Sequence, residues 1–348
     1  MSREPEQTPV PSAFRRRKAG AALTIHDVAK LAGVSSMTVS RALSKPDRVS
    51  PETLARVKEV VVRTGYVPNL MAGGLRTYQS RLMVALVPTL SSPMSSPMLN
   101  ALTQSLDAKG YQVMVGQFGY ADSREERLLE FVLGRRPDGL LFTGVVKSPI
   151  LRRRLLASGI PIVETGDFTP TPIDMLVGFS HERTGRAACE YLARRGHKRL
   201  AVVTEDDERA RRRADAFVAE AKSRRLAKPI VEWAPAPATH ASGRQALGRL
   251  LDKRSDVDAV FCSSDMVAMG VMTEAQARGL AIPGDLAVMG CGDLEFSATL
   301  RPALTTVRVD GELIGRLAAE YLAARAEGTA VKDGVTEVDF TIVERESA

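Results

Sequence analysis

The stretch that most limits what this chain can become is TIHDVAKLAGVSSMTVSRAL, Thr24 to Leu43. Ile25, Val28, Ala29 and Ala32 recur at helical spacing, and Thr24 followed three residues on by Asp27 is a capping-box pattern that holds the first backbone N–H groups. Gly33 supplies the left-handed residue that ends this helix, Val34 plugs the turn, and Ser35 caps a second helix over Ser36 to Leu43. The pattern predicts a helix-turn-helix. Val39, Ala42 and Leu43 face inward on the second helix, leaving Ser36, Met37, Ser40 and Arg41 on a small, polar outer face that fits a major groove. Taken alone, the same residues also suit a helical hairpin in a protein-interaction module.

A third helix starts at Ser50 with Pro51 in its first position, runs through Leu54, Val57 and Val61, and stops at Gly65, so three short helices can close a core of their own. Tyr66-Val67-Pro68-Asn69 then breaks the pattern, and the chain restarts over Leu70 to Arg76.

Charge separates this end from the rest. Residues 1–80 hold 13 Lys and Arg against 6 Asp and Glu, whereas the remainder balances at 35 against 35. A basic end on a neutral body is the electrostatic footprint of a protein that holds nucleic acid at one end only. The first 22 residues, charged and proline-bearing, read as a flexible basic tail rather than a secretory signal; Arg15 to Lys18 either touch DNA backbone or are solvated. No apolar run approaches membrane length. Three scattered cysteines, Cys189, Cys262 and Cys291, have no ligand spacing, which argues for reduced packing thiols in a cytoplasmic protein and against zinc.

From Arg81 onward, short apolar runs alternate with amphipathic ones, which signals parallel sheets with helices on both faces. Strands are expected at Leu82 to Val87, Val113 to Gln117, Gly139 to Thr143, Ile160 to Glu164 and Met175 to Phe179, then at Leu200 to Val203, Ile230 to Trp233, Ala259 to Cys262 and Leu286 to Cys291. Helices fall between them. Two such series imply two doubly wound subdomains with a ligand-binding cleft between them.

No nucleophile, base and orienting acid stand together, and His26, His181, His197 and His240 are scattered, so an enzyme reading has no residue to name. Gly290-Cys291-Gly292 is a tight turn or a weak phosphate cradle. Asp265 and Asp293, at strand ends, serve hydroxyl recognition, helix capping or a metal. No cofactor is indicated.

The run TIHDVAKLAGVSSMTVSRALSKPDRVSPETLARVKEVVVRTGYVPNLMAGGLR resembles the DNA-binding headpiece and hinge of the lactose-repressor (LacI/GalR) family of bacterial transcription regulators, and the body resembles that family's core, which is similar to periplasmic sugar-binding proteins. The resemblance implies a basic tail (1–22), a helix-turn-helix headpiece (23–67), a hinge (68–80) and an effector-binding core (81–348). In the core, subdomain one takes about 81–178 plus 309–340 and subdomain two about 179–306. It also implies crossings near Phe179, Thr305 to Val309 and Gly334, with the C-terminal segment returning to the first subdomain.

DNA contacts are implied at Thr24, Ser35, Ser36, Met37, Thr38, Ser40 and Arg41, and in the hinge at Asn69, Leu75 and Arg76. Leu75 matches the leucine that two paired hinges wedge into the minor groove, which requires a homodimer and leaves a tetramer open. Gly73 and Gly74 depart from the family pattern and weaken a hinge helix, by roughly 1 kcal/mol each relative to alanine.

The implied effector contacts are Thr89, Ser91, Thr143, Lys147, Glu164, Arg213, Ser264 and Asp265, with Arg211 and Arg212 read as a solvated face. Ser95 stands where many relatives carry an aromatic ring, and Gly292 where many sugar-responsive ones carry an aspartate. FGYADSREERLL, DGLLFTGVVKSP, GIPIVETGD and LVGFSHERTG resemble the gluconate-operon repressor subgroup. The implied effector is a sugar acid such as gluconate, its carboxylate held by Arg213. A neutral-sugar sensor and a cytoplasmic carbohydrate-acid enzyme are the alternatives.

Overall fold

The computed structural model describes residues 23–67, 80–90, 95–119, 122–146 and 148–348, which fall into two compact units, a headpiece and a body. The tail, Asn69, Leu75 and Arg76 of the hinge, and Ser91 and Lys147 lie outside the described residues.

In the headpiece α1 (Ile25–Ala32), α2 (Ser36–Ser44) and α3 (Pro51–Thr64) surround a small core of Val28, Ala29, Ala32, Val39, Ala42, Val57, Val60 and Tyr66. Gly33 (φ 64°) ends α1 in the left-handed region, where a side chain would be strained. The Ser35 hydroxyl accepts from the Thr38 N–H at 3.1 Å and starts α2 in a new direction.

The body is built on two six-stranded sheets. The first runs β11-β5-β4-β3-β1-β2, with β1 (Leu82–Val87), β2 (Gln112–Gln117), β3 (Gly139–Thr143), β4 (Ile162–Thr165), β5 (Met175–Gly178) and β11 (Val335–Glu337), all parallel. The second runs β12-β10-β9-β8-β6-β7, with β6 (Leu200–Glu205), β7 (Ile230–Ala234), β8 (Ala259–Cys262), β9 (Ala287–Cys291), β10 (Thr305–Val309) and β12 (Phe340–Val343); it is parallel except for the β10–β12 pair. Strands such as LMVALV and GLLFT are apolar on both sides because helices cover both faces, giving each lobe two apolar layers.

Helices α4 (Ser95–Asp107), α5 (Asp122–Gly134), α6 (Pro149–Ser158) and α11 (Gly311–Ala326) serve the first lobe; α7 (His181–Arg194), α8 (Glu208–Ser223), α9 (His240–Lys253) and α10 (Asp265–Ala277) serve the second. The chain crosses between lobes after β5, after β10 and after β11. The last crossing corrects the sequence-based expectation: it falls at residues 338–339 and leads into the second lobe, where β12 pairs antiparallel with β10, and the Ser347 carbonyl accepts from the Val288 N–H at 2.8 Å. From Glu337 to Ile342 polar and apolar residues alternate straight through the crossing at 338–339, so the pattern does not reveal that two strands in different sheets meet there.

Candidate functional site

Several polar side chains of the headpiece are engaged at its own helix ends. Thr24 donates from N–H and hydroxyl to Asp27 Oδ2 at 2.9 and 2.8 Å, and the Ser35 and Thr38 hydroxyls lie 2.8 Å apart. Ser36 is half-buried, its Oγ 2.8 Å from His26 Nδ1, a link between the two motif helices that helical spacing alone does not reveal. Met37, Ser40 and Arg41 remain on the exposed face of α2, with Met37 63% exposed. That face can enter a groove without unfolding anything.

In the body, a cleft open to solvent lies between the lobes. The first lobe supplies Pro97 from α4, Gly166 beyond β4 and Gly311 at the start of α11. The second supplies Glu205, Asp207, Arg209 and Arg213 around the start of α8, Ser263 and Ser264 after β8, and Cys291 and Gly292 at the end of β9, while Phe179 and His181 lie at the crossing. Carboxyl ends of strands and helix starts thus converge, as doubly wound sheets require.

Arg213 is held from two sides. A Cβ on Gly185 of α7 would sit 2.1 Å from the Arg213 carbonyl oxygen, so only glycine lets α8 approach this closely. At the tip, Arg213 Nη1 donates to His181 Nδ1 at 2.8 Å, and His181 Nε2 donates to the Gly166 carbonyl at 3.1 Å. Burial, then the guanidiniums of Arg213 and Arg209, hold His181 well below the ordinary imidazole range, so the ring is neutral. Glu205 is pushed up by burial and by Asp207, with Arg213 and Arg209 opposing; its Oε2 accepts from the Ala238 N–H at 3.2 Å.

Of the expected effector residues, Arg213 and Ser264 line the cleft. Ser264 also caps α10, accepting from the Val267 N–H at 3.3 Å. Thr143 stands at the edge: its methyl would lie 3.1 Å from a Cβ on Gly166. Thr89 is buried, its carbonyl accepting from Ser95 Oγ at 3.0 Å.

Glu164 and Asp265 are not among the lining residues. Glu164 is fully buried and accepts from the Val146 and Ile173 N–H groups at 3.1 and 2.7 Å, bracing two loops. Asp265 accepts from Thr306 Oγ1, Ser297 Oγ and the Leu294 N–H at 2.6, 2.7 and 2.8 Å. Burial raises the pKa of both. Among the described residues no cluster of His, Cys, Asp or Glu is arranged to hold a metal, and no helix is long and apolar enough to cross a membrane.

The solvated face expected for Arg211 and Arg212 holds for one of them. Arg211 is exposed over Trp233, 5.1 Å from its ring centroid, but Arg212 pairs across the lobes with the buried Asp167. Residues 209, 212 and 213 stand at i, i+3 and i+4 on one side of α8. That spacing is the signal that links Arg209 and Arg212 to Arg213; nothing comparable marks His181, Glu205 or Asp207.

Comparison with known proteins agrees with this two-part architecture. Residues 24–69 match bacterial regulatory proteins of the lacI family, and residues 189–348 match the periplasmic binding protein-like domain. The HTH-type transcriptional regulator GntR of Pseudomonas aeruginosa is 36% identical over 326 residues, covering 93% of this chain and 95% of that protein. The chain belongs to the lacI family.

As a lacI-family protein it is a DNA-binding transcriptional regulator, a class that does not include enzymes. A lacI-family regulator from Silicibacter pomeroyi has the same fold with a TM-score of 0.87 at 32% identity, covering 93% of this chain and 99% of that one. The lac repressor dimer bound to operator and the anti-inducer ONPF follows at a TM-score of 0.79 and 26% identity, covering 94% and 99%.

Proposed function

We propose that this lacI-family regulator is a homodimeric repressor whose hold on operator DNA is set by a sugar acid such as gluconate bound between the lobes of the body. The observation that carries this reading is the state of Arg213. Its guanidinium is buried in the cleft wall, one Nη is committed to His181, and its Nε has no hydrogen-bond partner among the described residues. A carboxylate in the cleft would meet this guanidinium in a charge-assisted bond. Ser264 lines the same cleft and suits a hydroxyl. The likeness to a GntR-named regulator supports the subgroup resemblance carried by GIPIVETGD and LVGFSHERTG.

On the DNA side, Met37, Ser40 and Arg41 read the groove, the caps Thr24 and Ser35 and the first-turn Thr38 approach the backbone, and Asn69, Leu75 and Arg76 act at the hinge. Leu75 from each protomer wedges a base step. Closure of the cleft then changes DNA affinity only so far as the effector prefers one lobe arrangement.

A neutral-sugar reading draws on Glu205 and Asp207, which line the same cleft and accept from hydroxyls. Calorimetric titration of the full chain with gluconate and, separately, with glucose decides between them. Saturable heat with gluconate alone supports the sugar-acid reading; heat with glucose alone contradicts it.

A further inference from the structure

We propose that His181 is a positioning residue that ties the anion-binding guanidinium of Arg213 to the first lobe, so that effector capture and lobe closure are mechanically one event. The proposal rests on the sugar-acid reading of the cleft and adds to it the route by which binding is transmitted.

The ring sits at the first crossing between lobes, two residues beyond Phe179, and is 2% exposed. Its two nitrogens face partners of opposite kind. Arginine has only donors and a carbonyl has only lone pairs, so Nδ1 must accept from Arg213 and Nε2 must carry the proton that goes to Gly166. One neutral tautomer satisfies both, and an imidazolium would set an N–H against the Arg213 N–H. The charged groups around it are Arg209, Arg212 and Arg213 on α8, with Asp167, next along the chain from Gly166, engaged by Arg212. Phe179 fixes the ring plane from the side, with centroids 4.5 Å apart and planes at 68°.

Gly166 belongs to the first lobe and Arg213 to the second, so the imidazole is a rigid link across the seam. The Arg212–Asp167 pair crosses the same seam, and neither residue is among those lining the cleft. The two ties therefore differ in kind: one runs through the residue that meets the ligand, and the other closes the seam whether or not ligand is present.

Two substitutions separate the halves of the link. His181→Asn keeps an acceptor near the Nδ1 position but cannot reach Gly166; His181→Gln keeps a donor toward Gly166 but offers Arg213 no acceptor at the old place. Calorimetry with gluconate and fluorescence anisotropy on a duplex selected by the protein are expected to split them. His181→Asn should bind gluconate within about threefold of wild type yet lose most of the gluconate-dependent change in DNA affinity, and His181→Gln should bind gluconate at least about tenfold more weakly.

Both variants matching wild type in affinity and coupling would overturn the proposal while leaving the sugar-acid reading intact. No gluconate binding by wild type would remove that reading. The link is then judged on the unliganded wild-type protein by ring ¹⁵N spectra: a single Nε2-protonated tautomer from pH 8 to pH 5.5 is expected, and a ring that titrates near an ordinary histidine value overturns it.

Discussion

The headpiece and the cleft are both polar sites, but they are wired differently. In the headpiece the partners are close in sequence: Thr24 with Asp27, Ser35 with Thr38, and Ser50 with Thr53, each three residues apart, leaving Met37, Ser40 and Arg41 free to face outward. In the cleft the partners are distant: His181 meets Gly166 fifteen residues away, Arg213 meets His181 across thirty-two, and Arg212 meets Asp167 across forty-five. A reader of DNA needs a rigid helix with an unencumbered face. A sensor needs groups that are partly satisfied in the empty state and completed by the ligand.

Five substitutions or conditions test that contrast, the first expected to matter most. Arg213→Ala should weaken gluconate binding by about 10- to 100-fold in calorimetry while leaving ligand-free affinity for duplex DNA unchanged. An equal loss of DNA binding would show that the two regions are not separable in this way.

Gly185→Ala places a methyl against the Arg213 carbonyl and should destabilise the body by about 1–3 kcal/mol in denaturant unfolding, with headpiece stability unaffected.

The third test is pH. His181 has its folded-state pKa depressed by burial, so the unfolded chain takes up a proton that the folded chain refuses, and stability should fall as pH drops below about 6.5. His197, also lowered by burial, acts in the same direction. Glu164, Asp167, Glu205 and Asp265, with raised folded-state values, act oppositely, losing stability as pH rises. The quantity to measure is therefore the difference between wild type and His181→Asn: wild type should lose about 1 kcal/mol more than the variant between pH 7.5 and 5.5. Equal losses would contradict a neutral, buried ring.

In the headpiece, Ser35→Ala should cost about 1 kcal/mol of local stability by hydrogen exchange, and Arg41→Ala should lower the salt slope of DNA binding by about one or relax base preference, without changing gluconate affinity.

What could be read from the sequence follows the same division. Helix caps, the left-handed Gly33 and Gly65, and the apolar runs that became β1, β3 and β8 are local signals and were legible to within a residue or two. The path of the last strand was not, because the alternation from Glu337 to Ile342 runs through the crossing between β11 and β12, which pair in different sheets. At the cleft, Arg213 and Ser264 came from a family resemblance. His181, Glu205 and Asp207 were invisible because a single polar residue at a strand end or helix start looks alike whether it faces solvent or a ligand. Glu164 and Asp265 occupy such strand-end positions too, yet their oxygens are consumed by backbone N–H and hydroxyl donors that only the fold brings near.

The central claim is that a basic headpiece grips duplex DNA and a neutral two-lobed body sets the strength of that grip. Its most direct measurement is fluorescence anisotropy of the full chain on a duplex selected from random-sequence DNA by the protein itself, across a salt series, with and without gluconate. Affinity should fall steeply as salt rises, and gluconate should displace the binding curve at fixed salt. Affinity indifferent to salt, or a curve that gluconate does not move, would contradict it.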